Sequence, residues 1–433
     1  MSFPRYPKYK DSGVEWLGEV PEHWDVKPVK SLASIVNGYP FDSTLFDAAE
    51  GYPLIRIRDI NKFEAETYYK GEFVETAAIT SDDVLIGMDG DFNVGRWRGQ
   101  GRALLNQRMC CVRGRSGLLT RLLEYSLPIR LKAINDITYA TTVKHLASSQ
   151  VEKTFVAIPP DSAEQTQIAA FLDRETAKID ELVAEQRRLM ELLKEKRQAV
   201  ISHAVTQGLN PDAPMKPSGI EWLGDVPAHW EVKRLRFVAN LNPSKSEVAN
   251  LDRDTVVSFL PMTSIGEDGA INLESEKTIG ELESGYTYFR DGDVTIAKIT
   301  PCYENGKGAL MTGLVNGIGF GTTELIVARP NPNRVAGAFL HFLFISTVFR
   351  DIGESHMYGA GGQKRVPDDF VRNFATAFPP LVEQTQITAF LDSELAKFDT
   401  LTAEAQRAID LLQERRTALI SAAVTGQIDV RPH

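Results

Sequence analysis

Apolar residues recur at seven-residue intervals in two long, otherwise polar stretches that begin near residues 164 and 383. A seven-residue period is typical of helices that pack along a coiled-coil seam. A Pro-Pro pair precedes each stretch and a glycine, Gly208 or Gly426, follows it, as expected at the start and end of a helix. The predicted seam residues are Leu172, Ile179, Leu182, Leu189 and Leu193 in the first helix, and Leu391, Phe398, Leu401, Leu412 and Leu419 in the second.

Two other stretches, roughly 31–155 and 237–375, carry short runs in which apolar residues alternate with others. The run 53–58 alternates with a period of two, and the run 255–260 does so less cleanly. Such runs, separated by glycine-rich turns, predict short strands. Each stretch is therefore expected to form a mixed α/β domain.

The strongest feature of the sequence is an internal repeat. The segment 12–27, here called the opening motif, returns 206 residues later as the segment 218–233. The starts of the two predicted helices also match, with Pro-Pro followed by Glu-Gln-Thr-Gln-Ile at 164–168 and 383–387. The stretches between these repeated parts do not align, so duplication preserved the frame while the inserted domains diverged.

The repeat predicts an α+β protein with two mixed α/β domains separated by two long helices. About 40 helical residues span roughly 60 Å. Each helix carries an apolar seam that needs a partner, which disfavours two unrelated exposed helices. We therefore expect an antiparallel coiled coil and a pseudo-twofold internal repeat.

Composition narrows the class of protein. The chain has 433 residues, of which 43% are hydrophobic and 24% charged, typical of a globular protein of two or more domains. Its cysteines, Cys110, Cys111 and Cys302, follow no disulfide or zinc-ligand pattern, and the adjacent pair is interpreted as buried strand residues. The sequence contains no recognisable signal peptide or membrane-spanning run. We therefore expect a cytoplasmic protein that does not associate with a membrane.

Sequence signatures of enzymes that act on DNA are missing. There is no phosphate-binding Walker loop, no deaminase signature, and no Asn-Pro-Pro-aromatic run of an amino-methyltransferase. Glu22, Asp25 and Lys27 faintly resemble a nuclease cluster, but Glu22 becomes Ala228 in the repeat. We therefore predict no catalytic residue and no metal site.

A long basic stretch suggests where DNA could bind. The net charge is -10, yet residues 92–123 contain seven arginines and no acidic residue. Phosphates attract such charge, and base edges are read by Arg, Asn and Gln. A solvated basic face or internal ion pairs would also explain the pattern. The DNA-binding candidates in the first domain are Arg56, Arg58, Arg96, Arg98, Arg102, Asn106, Gln107, Arg108 and Lys144.

The second domain offers fewer basic residues. Lys298 and Lys307 flank a short polar turn, and a glycine-rich run leads into Gln363, Lys364 and Arg365. Such a run suits phosphate contact, and it equally suits an ordinary loop. These five residues are the DNA-binding candidates of the second domain.

The repeated motifs resemble those of the specificity subunits of type I restriction-modification systems. The similarity lies in the segment 15–24 and its copy at 221–230, in the Pro-Pro…Glu-Gln…Ile…Phe-Leu-Asp helix starts, and in the segments 412–416 and 423–426. The motifs occur twice in the order of that family, and the resemblance covers the whole chain. The segments 88–93 and 105–108 also look like one common type of target recognition domain.

The resemblance implies a domain arrangement and a set of partners. Residues 1–160 and 209–380 would be target recognition domains that each read half of a bipartite double-stranded DNA target. Residues 161–208 and 381–433 would carry the conserved helices, which dock two modification subunits and set the half-site spacing. The modification subunits would methylate adenine at N6 with S-adenosylmethionine, and restriction subunits would use ATP and Mg²⁺ in defence against foreign DNA.

A second class of function stays open from the residues alone. Two protein-binding domains on a coiled-coil spacer would form a scaffold with the same helix pattern. Such a scaffold would not need the acid-free arginine stretch. A DNA-binding test with a salt titration separates the two hypotheses.

Overall fold

The computed structural model describes residues 3–137, 144–282, 284–360 and 362–431. The chain divides into two compact units, the first made of Met1–Gln186 with Arg407–His433 and the second of Arg187–Gln406. Each unit contains one variable domain and part of each of two long helices. The fold is therefore mixed α/β with a pair of long helices.

Short strands precede the first long helix. The strands are β1 (Tyr9–Asp11), β2 (Glu19–Pro21), β3 (Asp25–Pro28), β4 (Ala33–Asn37), β5 (Phe46–Asp47), β6 (Tyr52–Ile55), β7 (Tyr68–Tyr69), β8 (Ala78–Thr80), β9 (Val84–Gly87), β10 (Val94–Gly95), β11 (Arg102–Leu105), β12 (Met109–Gly114) and β13 (Phe155–Ile158). The helices are α1 (Gly117–Ile137), α2 (Ser148–Glu152) and the long α3 (Ser162–Gln207).

The second half of the chain has a similar order of elements. Its strands are β14 (Met215–Pro217), β15 (Asp225–Pro227), β16 (Glu231–Arg234), β17 (Ala239–Leu241), β18 (Val256–Leu260), β19 (Glu276–Thr278), β20 (Thr287–Arg290), β21 (Val294–Ala297), β22 (Gly308–Leu310), β23 (Ile318–Gly321), β24 (Leu325–Pro330) and β25 (Ala375–Phe378). Its helices are α4 (Ile279–Leu282), α5 (Gly337–Ile345), α6 (Thr347–Ser355), α7 (Asp368–Asn373) and the long α8 (Leu381–Val424).

Both variable domains pair their strands in the same order. One sheet has the order β10-β9-β12-β4 in the first domain and β22-β21-β24-β17 in the second. The other has the order β8-β11-β6-β7, with β5 added at its end, and β20-β23-β18-β19. In this second sheet β6 pairs with β11, and β18 with β23, in parallel. The two domains thus share a topology although their sequences do not align.

The buried interior of the first domain includes the two adjacent cysteines. Cys110 and Cys111 lie on β12, and both are fully buried. Burial raises the pKa of the Cys110 thiol to about 12. The interpretation of this pair as buried strand residues is confirmed.

The opening motif binds the first turn of a long helix. Trp24 Nε1 donates to Glu164 Oε1 at 3.0 Å, and His23 Nε2 lies 2.9 Å from Glu164 Oε2. In the second unit, Trp230 Nε1 donates to Glu383 Oε1 at 3.1 Å. The same Trp-to-Glu contact thus joins the two repeated parts of the sequence in each unit.

Each long helix begins and ends as its sequence predicts. Asp161 Oδ1 accepts the backbone N–H of Ala163 at 3.1 Å, which satisfies a free donor at the start of α3. Gly208 and Gly426 follow α3 and α8 with φ angles of +78° and +70°. This left-handed conformation ends a helix and strongly favours glycine.

The two long helices run in opposite directions within each unit. In the first unit Leu172 shares an apolar cluster with Ile420, and Asp180 pairs with Arg416 through Oδ1 and Nε at 2.9 Å. Higher residue numbers of α3 therefore meet lower numbers of α8. In the second unit Arg197 pairs with Asp399, and Gly208, just after α3, lies beside Glu383 in the first turn of α8, so the helices run in opposite directions there too.

The predicted seam residues fall into two groups by burial. Leu172, Ile179, Leu193, Leu391 and Phe398 are buried, and Leu412 and Leu419 are half-buried. Leu182, Leu189 and Leu401, expected between these positions, are exposed instead. Other residues are buried instead, and they include Thr176, Val183, Leu395 and Ile409. Each of these lies four residues after a position of the seven-residue repeat, namely 172, 179, 391 or 405. Positions three and four residues along a helix both lie near its apolar stripe, so leucine spacing alone did not decide between them.

Candidate nucleic-acid interface

A polar cleft of about 540 Å³ lies at one end of the second sheet in the first domain. The parallel strands β6 and β11 end here in register, because Ile55 lies opposite Leu105. The segments 56–58 and 106–108, which follow these strands, are therefore neighbours. The cleft is lined by Phe41, Ser43, Phe46, Arg56, Ile57, Arg58, Asn93, Asn106, Gln107 and Arg108.

Hydrogen bonds fix the backbone and some side chains around this cleft. Asn106 donates its backbone N–H to Ile55 O at 3.1 Å, and its side-chain Oδ1 accepts from the Arg108 backbone at 3.3 Å. Arg58 Nε lies 3.0 Å from Glu66 Oε2. The segments that follow β6 and β11 thus hold guanidinium and amide groups in the cleft, and these are the groups that read phosphates and base edges.

Asp89 connects the cleft to the segment before α2. Its carboxylate accepts hydrogen bonds from Arg108 and, at 2.8 Å, from His145 Nδ1. Burial raises the pKa of Asp89, but the bonds from His145 and Arg108 outweigh it and hold that pKa below its usual range. Lys144, beside His145, donates its ammonium group to the backbone oxygen of Asn135 at 2.8 Å.

Three of the candidate arginines lie outside the cleft. Arg96 is only 18% exposed and pairs with Glu124 at 2.7 Å. Arg98 lines a different cavity of about 530 Å³. Arg102 pairs with Glu75 and stands at the opposite end of β11 from the cleft.

The acid-free sequence stretch is therefore not free of acids in space. Carboxylates from other segments pair with Arg96, Arg102 and Arg108, and Asp83 binds Arg113 through two hydrogen bonds. The hydrogen bond with Asp83 raises the pKa of Arg113. Internal ion pairs, the alternative left open by the sequence, account for part of the cluster.

The candidates of the second domain meet at one end of that domain. Lys298 donates its backbone N–H to Glu324 O at 2.8 Å and accepts from Val366 at 2.8 Å. Lys364 O accepts from Thr300, and Lys307 O accepts from Ala297. Gln363 precedes Lys364 on the same segment and is exposed.

Two of these side chains have partners within the domain. Arg365 binds Glu324 through two hydrogen bonds, of 2.9 and 2.8 Å. The bond from Arg365 lowers the pKa of Glu324. Lys307 Nζ donates to the backbone oxygen of Met262 at 3.2 Å.

Sequence reasoning missed several residues of this candidate interface. Phe41, Ser43 and Asn93 line the first cleft, and Asp89 and Glu324 hold arginines. Asn93 belongs to the segment 88–93, which resembles a target recognition domain, but nothing in its spacing indicates contact with residues 106–108. Such contacts depend on the pairing of β6 with β11, which a single sequence does not give.

No helix in the part of the chain that the structure describes is long and apolar enough to cross a membrane. Within the same ranges, no group of three or more His, Cys, Asp and Glu side chains is placed to hold a metal ion.

Residues 21–190 match the family profile of the type I restriction modification DNA specificity domain. The specificity subunit of the type I restriction enzyme EcoEI from Escherichia coli is 38% identical over 205 residues, which cover 47% of this chain. The match spans 34% of the length of that relative. The EcoBI specificity subunit from Escherichia coli is 26% identical over 96% of this chain and 89% of its own length.

The matched profile and these relatives all describe type I restriction-modification specificity proteins, and the similarity to the EcoBI subunit extends over nearly the whole chain. A solved chain described under complex assembly and conformational transition of the type I R-M system has the same fold, with a TM-score of 0.62 and 15% identity. The match covers 94% of this chain and 98% of the solved one. The family resemblance found in the repeated motifs is confirmed, and the variable domains are called recognition domains from here on.

Proposed function

We propose that this chain is the DNA-recognition subunit of a type I restriction-modification complex. Each recognition domain reads one half of a bipartite, asymmetric double-stranded DNA target. The observation that carries the proposal is the cleft at the ends of β6 and β11, where Arg56, Asn106, Gln107 and Arg108 converge. The corresponding end of the second domain gathers its own basic candidates.

The long helices form an antiparallel coiled coil that sets the distance between half-sites and docks two modification subunits. Their opposite directions within each unit support this arrangement. Leu182, Leu189 and Leu401 are exposed apolar side chains on otherwise polar helices, and they offer contact surface to partner helices. The shared strand order of the two domains agrees with an internal repeat of the chain.

Catalysis belongs to the partner subunits in this proposal. The modification subunits methylate adenine at N6 with S-adenosylmethionine, and restriction subunits use ATP and Mg²⁺. We assign this chain no catalytic residue and no cofactor, and a cytoplasmic location.

The test combines Arg56→Gln and Gln107→Ala in the full chain. DNA binding is measured for the chain by itself and for the chain with modification subunits. DNA binding should weaken, and the slope of log affinity against log salt should fall by about 0.9 for the one lost phosphate contact. Arg174→Gln, an exposed arginine on α3, is the matched control for charge. A wild-type chain that binds no DNA even at low salt would favour the protein-binding scaffold.

The predicted set Arg96, Arg98 and Arg102 is tested separately. Replacing these three residues by Gln in a folded chain should flatten the salt dependence if they contact phosphates. An unchanged slope would assign them to the internal ion pairs of the domain.

A further inference from the structure

The two recognition domains correspond residue by residue at the proposed DNA-binding end. The backbone N–H of Met88, just after β9, donates to Arg108 O at 3.0 Å. The backbone N–H of Lys298, just after β21, donates to Glu324 O at 2.8 Å. Arg108 and Glu324 therefore occupy the same position, in the turns between β11 and β12 and between β23 and β24.

A second correspondence lies opposite this turn. Asp89 forms an isolated antiparallel bridge with His145, and Ile299 forms one with Arg365. Since Asp89 and Ile299 each follow the donor residue of the first correspondence by one, His145 and Arg365 are equivalent.

Each domain places an arginine and a carboxylate near these two positions, but different segments supply them. In the first domain the turn supplies Arg108, and Asp89 binds both Arg108 and His145. In the second domain the turn supplies Glu324, and the opposite segment supplies Arg365. The same charged pair is thus built at one point of the fold by different parts of the chain.

The geometry of the pair suits an arginine that is held in place for a ligand. The Arg108 side chain is 66% exposed, whereas that of Asp89 is 13% exposed. A carboxylate that binds part of a guanidinium fixes the plane of the fork, and the other N–H groups stay available. An arginine fork fits guanine O6 and N7 in the major groove, and this is a frequent base-specific contact.

We propose that Arg108 and Arg365 each read a guanine in their own half-site, and that Asp89 and Glu324 are the positioning residues for these arginines. The inference rests on the proposed function of the chain. It adds the base that each domain recognises at this point and the residues that orient the reader.

The experiment compares wild-type chain with Asp89→Asn, Arg108→Lys and the matched control Asp180→Asn, each with modification subunits. Methylated sites are mapped, and binding is measured to target duplexes in which each half-site position is varied. Asp180 holds Arg416 on the long helices, so its variant removes a carboxylate–arginine pair far from base contact.

Asp89→Asn should reduce the preference for guanine at one position of one half-site by about tenfold, while non-specific affinity stays equal or rises. Arg108→Lys keeps the charge but loses the fork, so it should lose the same preference. Glu324→Gln and Arg365→Lys should act on the other half-site. Asp180→Asn should change neither half-site.

Uniform weakening at all positions, or unchanged base preference in folded Asp89→Asn and Arg108→Lys proteins, would overturn the inference and assign the pairs a structural role. If the wild-type complex nevertheless selects a bipartite target, the proposed function remains supported even though the further inference fails. A wild-type complex without any sequence preference would instead refute the proposed function itself.

Discussion

Single residues show how far a sequence can be interpreted without its fold. Asp83 binds Arg113 in the first domain and Asp293 binds Arg329 in the second, each through two hydrogen bonds of 2.6 to 2.8 Å. Both carboxylates are buried and lie directly before equivalent strands, β9 and β21. The sequence marked the arginine stretch but not these partners, because strand pairing brings residues together that are distant along the chain.

His341 gives the second domain a pH dependence of its own. It lies on α5 and is buried, and burial lowers its pKa to about 4. In the unfolded chain a histidine titrates near pH 6.5. Between these two values the unfolded state binds a proton that the folded state excludes, so the stability present above pH 6.5 is lost progressively as the pH falls towards 4.

The free energy of unfolding that is lost at low pH amounts to about 3 kcal/mol once the pH is below 4. We expect His341→Leu to remove most of this loss. Urea unfolding of the full chain at pH 7.5 and pH 5.0 measures it. His203→Gln, at an exposed histidine on α3, should keep the wild-type difference between the two pH values. The same pH dependence in wild type and His341→Leu would contradict the assignment.

At the scale of elements, the sequence predicted where the two long helices lie, but it predicted only some of the residues on their buried faces. The seven-residue period located α3 and α8, and Leu172 and Leu391 are buried as expected. The second seam position was misassigned because polar residues occupy it in places. The Thr176 hydroxyl donates a hydrogen bond to Leu172 O at 2.7 Å, and Arg197 pairs with Asp399 of the other helix. Because both residues are polar, the sequence did not indicate that they lie in the seam.

The neighbours Leu182 and Val183 test which position is the seam. Val183 is 9% exposed and Leu182 is 50% exposed. Val183→Asp should destabilise the chain by about 3 kcal/mol because it places a charge at a buried position. Leu182→Asp, the same change one residue earlier, should alter the free energy of unfolding by less than about 0.5 kcal/mol.

Thermal unfolding of the two variants provides the comparison. Leu182→Asp should still fold but should bind modification subunits more weakly, since it places a charge on the proposed docking surface. Equal destabilisation by the two variants would contradict the observed seam.

At the scale of the whole molecule, the frame was predictable and the likeness of the recognition domains was not. The repeat of 12–27 at 218–233 and the family resemblance indicated the frame directly. The shared strand order of the two domains left no trace in alignment, because many apolar residues can fill a sheet interior. Of the residues predicted to bind DNA in the first domain, Arg56, Asn106, Gln107 and Arg108 share one cleft, whereas Arg96, Arg98 and Arg102 lie elsewhere.

The distance between half-sites should follow the length of the two long helices. If the helices act as the ruler, one heptad inserted near Arg188 in α3 and another near Ala408 in α8 should lengthen both helices and keep their seams in phase. Seven residues add about 10 Å of helix, and base pairs rise by about 3.4 Å, so the preferred spacer should grow by about three base pairs. The half-site bases should stay the same, because the recognition domains are untouched.

Mapping of methylated sites in cells that carry the same modification subunits measures this change. An insertion in α3 alone is the control, because its seam then extends beyond that of α8 and no ordered new spacing should result. A stable doubly inserted chain that still directs modification to the original spacing with equal efficiency would exclude the ruler. The half-site distance would then be set by the partner subunits, and the exposed leucines of the helices would serve docking alone.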